Sequence, residues 1–248
     1  MVNKEPDFSH LFHQSSKDHS RGHAPIPKHP KDWPEKWRTT YYKSYPRLSK
    51  IDLTDVPPQA DFFDLVTKRR SQRNFTKKPL SKEDLSLLLK YSCGNIRELE
   101  TGRHRRAQPS GGGRFPVEAY LIVFRSSQDL NAGLYHYNIK NHQLDVLWDR
   151  EFTDEDINKL FTYQWVKDAA VAFVMTAIFS RTQDKYGERG YRYILLEAGH
   201  IGQNMYLVSE ALGLKCCALG GTRDEELEKL IDIDGVTESV VYALAVGK

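Results

Sequence analysis

The sequence predicts an α+β fold in which a mixed, mainly antiparallel sheet is flanked by helices. Strand-like and helix-like segments follow one another without the strict alternation of a doubly wound sheet. Residues 133–137 and 144–148 flank a polar turn at 138–143, which indicates an antiparallel hairpin. No Gly-x-Gly-x-x-Gly follows a predicted strand, and this disfavours a parallel dinucleotide-binding domain.

The other elements follow in order from periodicity and capping. A short helix at 59–69 carries Phe62, Phe63 and Val66 on one face. Ser81 and Asp84 have the spacing of a capping box, which predicts a second helix to about residue 92. The remaining predictions are a polar, Arg-rich loop at 97–108, strands at 117–124, 169–178, 216–219 and 239–246, and helices that begin near 153 and 222.

The longest predicted helix is 189–212, where apolar residues recur at helical spacing and Gly213 follows as a cap. Gly199 and Gly202 lie inside this segment and lower its helix propensity. A helix keeps such glycines where something must approach its backbone closely. We therefore expect this helix to lie at a subunit interface.

Composition narrows the class of protein. The 248 residues are 40% hydrophobic and carry a net charge of +3, with basic residues spread along the chain. No zinc-finger or RNA-binding signature occurs, so nucleic acid is not an expected partner. An odd number of cysteines, two of them adjacent, suits a reducing compartment. The N-terminus has no apolar signal core and no run has membrane-spanning length, so we expect a cytoplasmic protein without membrane contact.

We expect a polar N-terminal arm at 1–57, followed by one domain at 58–248. The arm holds five of the nine histidines, many prolines and several aromatic residues. His10 and His13 invite a metal-site hypothesis, but no cysteine or carboxylate completes a ligand set at suitable spacing. The favoured interpretation is an arm that packs its aromatic side chains over the domain or a partner subunit, and no metal is expected.

Two motifs indicate a flat, phosphorylated ligand. The segment 69–75 is Arg-Arg-Ser-Gln-Arg-Asn-Phe, and guanidiniums present planar forks of donors that suit phosphate. About forty residues further on, the segment 109–113 is Pro-Ser-Gly-Gly-Gly. Its backbone can approach a planar ligand closely, because glycine has no Cβ. The alternative for the first motif is a solvated helix face, which is common for arginine runs.

A longer string gives the chain its most specific resemblance to a known family. Residues 185–193 are Lys-Tyr-Gly-Glu-Arg-Gly-Tyr-Arg-Tyr, and residues 197–200 are Glu-Ala-Gly-His. With these motifs the chain from residue 62 onward resembles the nitroreductase superfamily of flavin mononucleotide (FMN) enzymes. Within that superfamily it is similar to the SagB-type dehydrogenases, the thiazole- and oxazole-forming oxidases of modified-peptide biosynthesis.

The resemblance implies a homodimer with a nitroreductase-like FMN-binding fold and two shared active sites. FMN is expected to contact the arginine segment, a glycine loop from the other subunit, the central helix, a second glycine pair and the C-terminal lysine. These cofactor-binding residues are Arg69, Arg70, Ser71, Arg73, Pro109, Ser110, Gly111, Gly112, Gln203, Asn204, Gly220, Gly221 and Lys248. The alternative for Gln203 and Asn204 is a pair of solvent-side polar residues.

The implied reaction is the two-electron oxidation of an azoline ring, which loses a hydride to the flavin and a proton to a base. Lys185 and Tyr186 match the catalytic pair that is proposed to take the proton. Both side chains have free pKa values of about 10, so either one needs a lowered pKa to act as a base near neutral pH. A neighbouring cation would lower it: Lys185 could act on Tyr186, and Arg189 could act on both. The alternative is a solvated loop lysine beside a core tyrosine. Arg114 stands where the family more often has small or aliphatic residues and could alter the substrate side.

Two other functions remain open. One is a general nitro- or quinone reductase driven by NAD(P)H, and the other is a non-enzymatic flavin-binding or scaffold protein. Lys185 and Tyr186 favour the azoline oxidase. For that function the expected partners are a precursor peptide and a cyclodehydratase, which would be a separate chain.

Overall fold

A computed structural model describes residues 11–12, 30–54, 60–100 and 104–248. The strands are β1 (Lys50–Asp52), β2 (Asn95–Glu98), β3 (His104–Arg106), β4 (Val117–Val123), β5 (Gly133–Asn138), β6 (Gln143–Asp149), β7 (Val171–Ile178), β8 (Lys215–Leu219) and β9 (Glu238–Gly247). The helices are α1 (Glu35–Arg38), α2 (Phe62–Lys68), α3 (Lys82–Cys93), α4 (Asp154–Leu160), α5 (Ser180–Tyr186), α6 (Arg189–Ala211) and α7 (Asp224–Ile231).

Seven strands form one sheet in the order β1-β6-β5-β4-β7-β9-β8, and each pair of neighbours in it is antiparallel. The central strands β4 and β7 are buried on both faces, except for the last residue of β7, because both faces of the sheet are covered. Helices α3 and α6 pack on one face, and α4 and α7 pack on the other. The predicted α+β class is confirmed, and so is the predicted hairpin, which is β5 and β6.

Three predicted helix boundaries rest on caps that the structure contains. Ser81 and Asp84 exchange backbone and side-chain hydrogen bonds at the start of α3, and Thr153 and Asp156 do the same at the start of α4. Gly213 ends α6 with φ at 66°, a left-handed conformation that glycine adopts without strain.

The prediction of a loop at 97–108 was wrong. Strands β2 and β3 pair there as an antiparallel two-stranded sheet. Most of its side chains are exposed, so it carries no apolar alternation that could have indicated strands. Lys185 and Tyr186 lie on helix α5, and Lys185 is buried, so Lys185 is not a solvated loop lysine.

The described part of the arm packs on the domain. Strand β1 is an edge strand of the main sheet, and the buried guanidinium of Arg114 binds the turn around α1. Arg114 donates to the carbonyls of Lys36, Trp37 and Thr39, and also to that of Arg181, over 2.7–3.2 Å. These bonds show that the side chain of Arg114 holds the arm, and its effect on the substrate side stays a prediction.

Several expectations fall outside the described residues. The domain boundary at 57 lies within 55–59, and His10 and His13 lie within the undescribed N-terminal residues. Across the described ranges, no cluster of three or more His, Cys, Asp or Glu side chains is arranged to hold a metal ion. In the same ranges no helix combines the length and the apolar character needed to cross a bilayer.

Candidate cofactor and catalytic site

The arginine segment runs along the free edge of the sheet. Its backbone joins β8 through the hydrogen bond from Gln72 N to Cys216 O, at 3.0 Å. The hydroxyl of Ser71 lies 2.9 Å from that of Tyr206 on α6, and the guanidinium of Arg69 lies 5.2 Å from the Tyr206 ring centroid. The tyrosine hydroxyl also accepts from Ala218 N at 2.7 Å, so Tyr206 ties the segment to both β8 and α6.

Three of the predicted phosphate-binding residues line one open groove, the arginine groove, with a volume of about 790 Å³. They are Arg70, Ser71 and Arg73, and residues 67–68, Gln72, Asn74 and Glu210 complete the lining. Donors that are grouped in an open groove with two guanidiniums suit a phosphate group.

The second glycine pair follows β8 near the same segment. The guanidinium of Arg73 lies 5.9 Å from the ring centroid of Trp165, which stacks on Tyr163. Gly220 is exposed, and a Cβ there would meet only the Tyr163 hydroxyl, at 4.0 Å. A Cβ at Gly221 would instead collide with the side chain of Thr162, so this position requires glycine for packing within the chain. Of these two glycines, only Gly220 thus presents open backbone to a ligand.

The other predicted cofactor contacts are more dispersed. The carbonyl of Lys248 accepts from the Thr76 hydroxyl at 2.9 Å, and its ammonium lies 3.8 Å from the Asp84 carboxylate. Asn204 donates to the carbonyl of Ser92 at 3.1 Å, which links α6 to α3, whereas Gln203 is exposed. The amide of Asn204 is therefore occupied within the chain.

The glycine loop, residues 109–113, packs directly against the predicted catalytic pair. Gly112 has φ at 64°, and a Cβ there would collide with the Tyr186 hydroxyl and lie 3.1 Å from Nζ of Lys185. Gly111 packs on the side chain of Tyr193. Ser110 Oγ accepts from the backbone N–H of Phe115 at 2.8 Å, which shapes the loop. The loop needs glycine at position 112 both for its backbone conformation and for this contact.

Lys185 is buried among aromatic side chains. Its Nζ lies 3.1 Å from the ring centroid of Trp33, 5.7 Å from that of Trp37 and 5.3 Å from that of Tyr186. Cation–π contacts of this kind hold an amino group where water is scarce. Trp33 was not predicted as a site residue. The only sequence signal was the concentration of aromatic residues in the arm.

Burial raises the pKa of Tyr186, Tyr193 raises it further, and the Arg114 guanidinium lowers it. The net direction is upward, so the expectation of a lowered tyrosine pKa was wrong. The expected cation Arg189 instead donates from Nε to the Tyr193 hydroxyl at 3.2 Å. Tyr186 therefore keeps its proton at neutral pH and can donate a hydrogen bond.

Glu197 is a buried carboxyl on α6 that belongs to the Glu-Ala-Gly-His motif but was not among the predicted site residues. Gln108 Nε2 donates to its Oε1 at 3.2 Å. Burial raises the pKa of Glu197 to about 7, although hydrogen bonds from Ser110 and Gln108 oppose this shift. Its position in the sequence indicates burial, because residue 197 lies three residues after Ile194 and four before Ile201, on the apolar face of the helix.

Within one chain the predicted site is divided into two parts. Tyr193 contacts the glycine loop and Tyr206 contacts the arginine segment, and both belong to α6. At 1.5 Å per residue, these two positions are about 20 Å apart along the helix. The structure brings the glycine loop to the Lys185–Tyr186 pair near one end of α6, and it places the arginine segment near the other end.

The model of the nitroreductase family matches residues 66–248. The chain belongs to this family, as its sequence motifs predicted. Among its relatives is a nitroreductase-like protein of Methanocaldococcus jannaschii, MJ1384, with 30% identity over 74% of this chain and 90% of that protein. The trifolitoxin-processing protein TfxB of Rhizobium leguminosarum bv. trifolii is 32% identical over 84% of this chain. The microcin B17-processing protein McbC of Escherichia coli is 27% identical over 81% of this chain and 79% of its own length.

Solved structures share the fold. A nitroreductase-like protein of Anabaena variabilis aligns with a TM-score of 0.72 and 25% identity over 96% of this chain. The E. coli microcin synthetase McbBCD complex with truncated pro-MccB17 aligns with a TM-score of 0.61 and 23% identity, covering 97% of this chain and 91% of the matched chain. An FMN complex from Desulfovibrio desulfuricans aligns with a TM-score of 0.52 and 18% identity over 76% of this chain and 86% of that one. The chain spans 59% of TfxB and 45% of the Anabaena protein.

Proposed function

We propose that this chain is an FMN-dependent dehydrogenase that oxidises thiazoline or oxazoline rings in a peptide to the corresponding azoles. The observation that carries the proposal is the buried Lys185, which contacts Tyr186 and the glycine loop at Gly112. An amine and a phenol are proton-transfer groups, and here both face a loop that suits a planar ligand. The similarity to TfxB and McbC, which are named as peptide-processing proteins, supports a peptide substrate.

The donors of the arginine groove fit FMN. We assign Arg70, Ser71 and Arg73 of the groove to its phosphate and ribityl chain, since guanidiniums and a hydroxyl are phosphate donors. We also assign Arg69, which lies beside the groove over the Tyr206 ring. The backbone of Gly220 faces open space and can approach the ring. Gln203 and Lys248 are further contacts that we propose, and bound FMN would supply the acceptor for two electrons.

A homodimer would complete each site. Leu195 and Leu196 on α6 are 40% and 60% exposed, and the neighbouring Gly199 has no atom within 4 Å of a Cβ built there. Phe62 and Phe63 on α2 are 59% and 78% exposed. Apolar surface of this extent is typical of an interface. Because the two parts of the site lie at opposite ends of α6, a second copy could bring its glycine loop to the arginine groove of the first.

Lys185 and Tyr186 have different roles in the proposed proton transfer. Oxidation of an azoline to an azole removes a hydride and a proton from the ring. Since Tyr186 keeps its proton, we assign Nζ of Lys185, in its neutral amine form, as the acceptor of the released proton. We assign the Tyr186 hydroxyl as a hydrogen-bond donor that orients the ring. Trp33 covers Lys185, so the described part of the arm belongs to the site and excludes water from it.

A cyclodehydratase that makes the azoline would be a separate partner chain. The fold shared with the McbBCD complex supports such an assembly, and the precursor peptide would be the common substrate. The second candidate function is a nitro- or quinone reductase driven by NAD(P)H. The 30% identity to the nitroreductase-like MJ1384 over 90% of that protein favours it.

The experiment compares Lys185→Ala and Tyr186→Phe with the parent protein on an azoline-containing peptide. Mass spectrometry follows the loss of two daltons, and the visible spectrum follows bound FMN. We expect FMN to be retained in both variants. Oxidation should fall by about 10²–10⁴-fold in Lys185→Ala, as is typical when a general base is removed, and by about ten-fold in Tyr186→Phe, which loses one hydrogen bond. Lys159→Ala, at an exposed lysine on α4, is the control and should oxidise normally. Unchanged rates in both variants would contradict the proposed roles, and loss of FMN would move the pair to the cofactor site.

A further inference from the structure

A cavity of about 480 Å³ adjoins the glycine loop, and none of the roles assigned above uses its basic wall. Cavities of roughly 300–1,000 Å³ are usual for small-ligand sites. Its lining includes Trp33, Leu99, β3, residues 107–110, Gly112, Gly113 and Phe115. The lining contains three consecutive basic residues, His104, Arg105 and Arg106, and among the described residues it contains no carboxylate.

Arg106 is the buried charge of this cavity. Its side chain is only 7% exposed, and its Nε and Nη1 atoms have no hydrogen-bond partner among the described residues. A buried guanidinium in that state is costly unless something binds it. The guanidinium carbon lies 4.4 Å from the ring centroid of Phe115 and 5.4 Å from that of Tyr42, so two aromatic faces fix its position.

The two acids that act on Arg106 are both occupied by other partners. The carboxylate of Glu118 pairs with Arg181 and His136, and that of Glu197 accepts from Gln108. Burial lowers the pKa of the Arg106 guanidinium, and these two carboxylates oppose the shift. Neither acid forms an ion pair with Arg106 within the described ranges, so an anionic ligand would complete the site.

We propose that this cavity is a substrate subsite for a carboxylate, and that Arg106 is the residue that binds it. The inference rests on the proposed function, because Gly112 lines the cavity and also contacts the Lys185–Tyr186 pair. A peptide with its ring at the pair would place a neighbouring group in the cavity. The carboxylate would come from an acidic side chain next to the ring or from the C-terminus of the peptide.

The test uses the whole 248-residue chain with FMN and matched azoline peptides. One pair carries Glu or Gln directly before the ring, a second pair carries them directly after it, and a third ends in a free or an amidated C-terminus. We expect at least one carboxylate peptide to have a KM about ten-fold or more below its neutral partner, as a charge-assisted hydrogen bond gives. That preference should disappear in Arg106→Gln and persist in Arg97→Gln, which removes an exposed charge from the facing strand β2.

Equal KM values within all three pairs for the parent protein would overturn the proposal, and this result needs no variant to fold. Preservation of the carboxylate preference in Arg106→Gln would overturn it as well. Should no azoline peptide be oxidised, the proposed function fails by itself. Direct binding of the same peptides, followed by tryptophan fluorescence, then decides the subsite, since tighter binding of the acidic peptides supports it and equal binding overturns it.

Discussion

Glu197→Gln tests whether the buried carboxyl beside the glycine loop is protonated in the fold. The pKa of Glu197 rises from an ordinary 4.5 to about 7 because the side chain is buried. Between these two values the folded protein holds a proton that the unfolded chain releases. A raised carboxyl pKa therefore gives stability that is fully present below pH 4.5 and is lost as the pH rises through 7. At about 1.4 kcal/mol per pKa unit, the loss between pH 5 and pH 8 is roughly 2–3 kcal/mol.

The glutamine variant cannot ionise and should not show this loss. We therefore expect the free energy of unfolding of Glu197→Gln, relative to the parent, to increase by roughly 2–3 kcal/mol between pH 5 and pH 8. Urea denaturation with excess FMN at both pH values measures it, since the linear extrapolation gives each free energy. Glu155→Gln, at an exposed carboxylate on α4, is the control and should show little change. A pH-independent difference for Glu197→Gln would refute a protonated Glu197.

Other substitutions test the packing and the two parts of the site. Gly112→Ala should retain FMN but lose most turnover, because a Cβ there collides with the Tyr186 hydroxyl; normal kcat would contradict this contact. Gly202→Ala should lower the unfolding free energy by about 1–3 kcal/mol, because its Cβ would lie 2.7 Å from the Tyr242 ring, and an unchanged urea midpoint would argue against it. Gly199→Ala should weaken the dimer in analytical ultracentrifugation, whereas an unchanged dimer with about 1 kcal/mol of added stability would place this face in solvent. Arg73→Ala should weaken FMN binding by about 1.5–3 kcal/mol in a fluorescence titration, and unchanged affinity would remove it from the phosphate site.

The elements that were predictable are those with one buried face or a cap. Helix α6 was found because its apolar residues recur at helical spacing, and α3 and α4 because their capping residues form the expected bonds. Strands β2 and β3 were missed because their side chains are mostly exposed, so no alternation marks them. Hydrophobic periodicity in a sequence reflects which side chains are buried, so it cannot predict strands whose side chains are mostly exposed.

The sequence motifs of the site could be predicted, but the residues that pack around them could not. The glycine loop and the Lys185–Tyr186 pair were both singled out, and they are in contact. The covering of Lys185 by Trp33 joins residues that are far apart in the chain, and no local pattern encodes such a contact. The same holds for Arg114, whose partners are backbone carbonyls of the arm. These contacts depend on how the arm packs.

The most direct test of the proposed function asks which donor reduces the flavin. The FMN-loaded protein is mixed without oxygen, in separate experiments, with an azoline peptide and with NADPH or NADH, and the flavin absorbance near its visible maximum is followed. We expect the peptide to bleach the flavin while gaining an azole ring, and the nicotinamides to react far more slowly. Rapid bleaching by a nicotinamide, with no bleaching by any azoline peptide, would contradict the azoline dehydrogenase and favour the reductase.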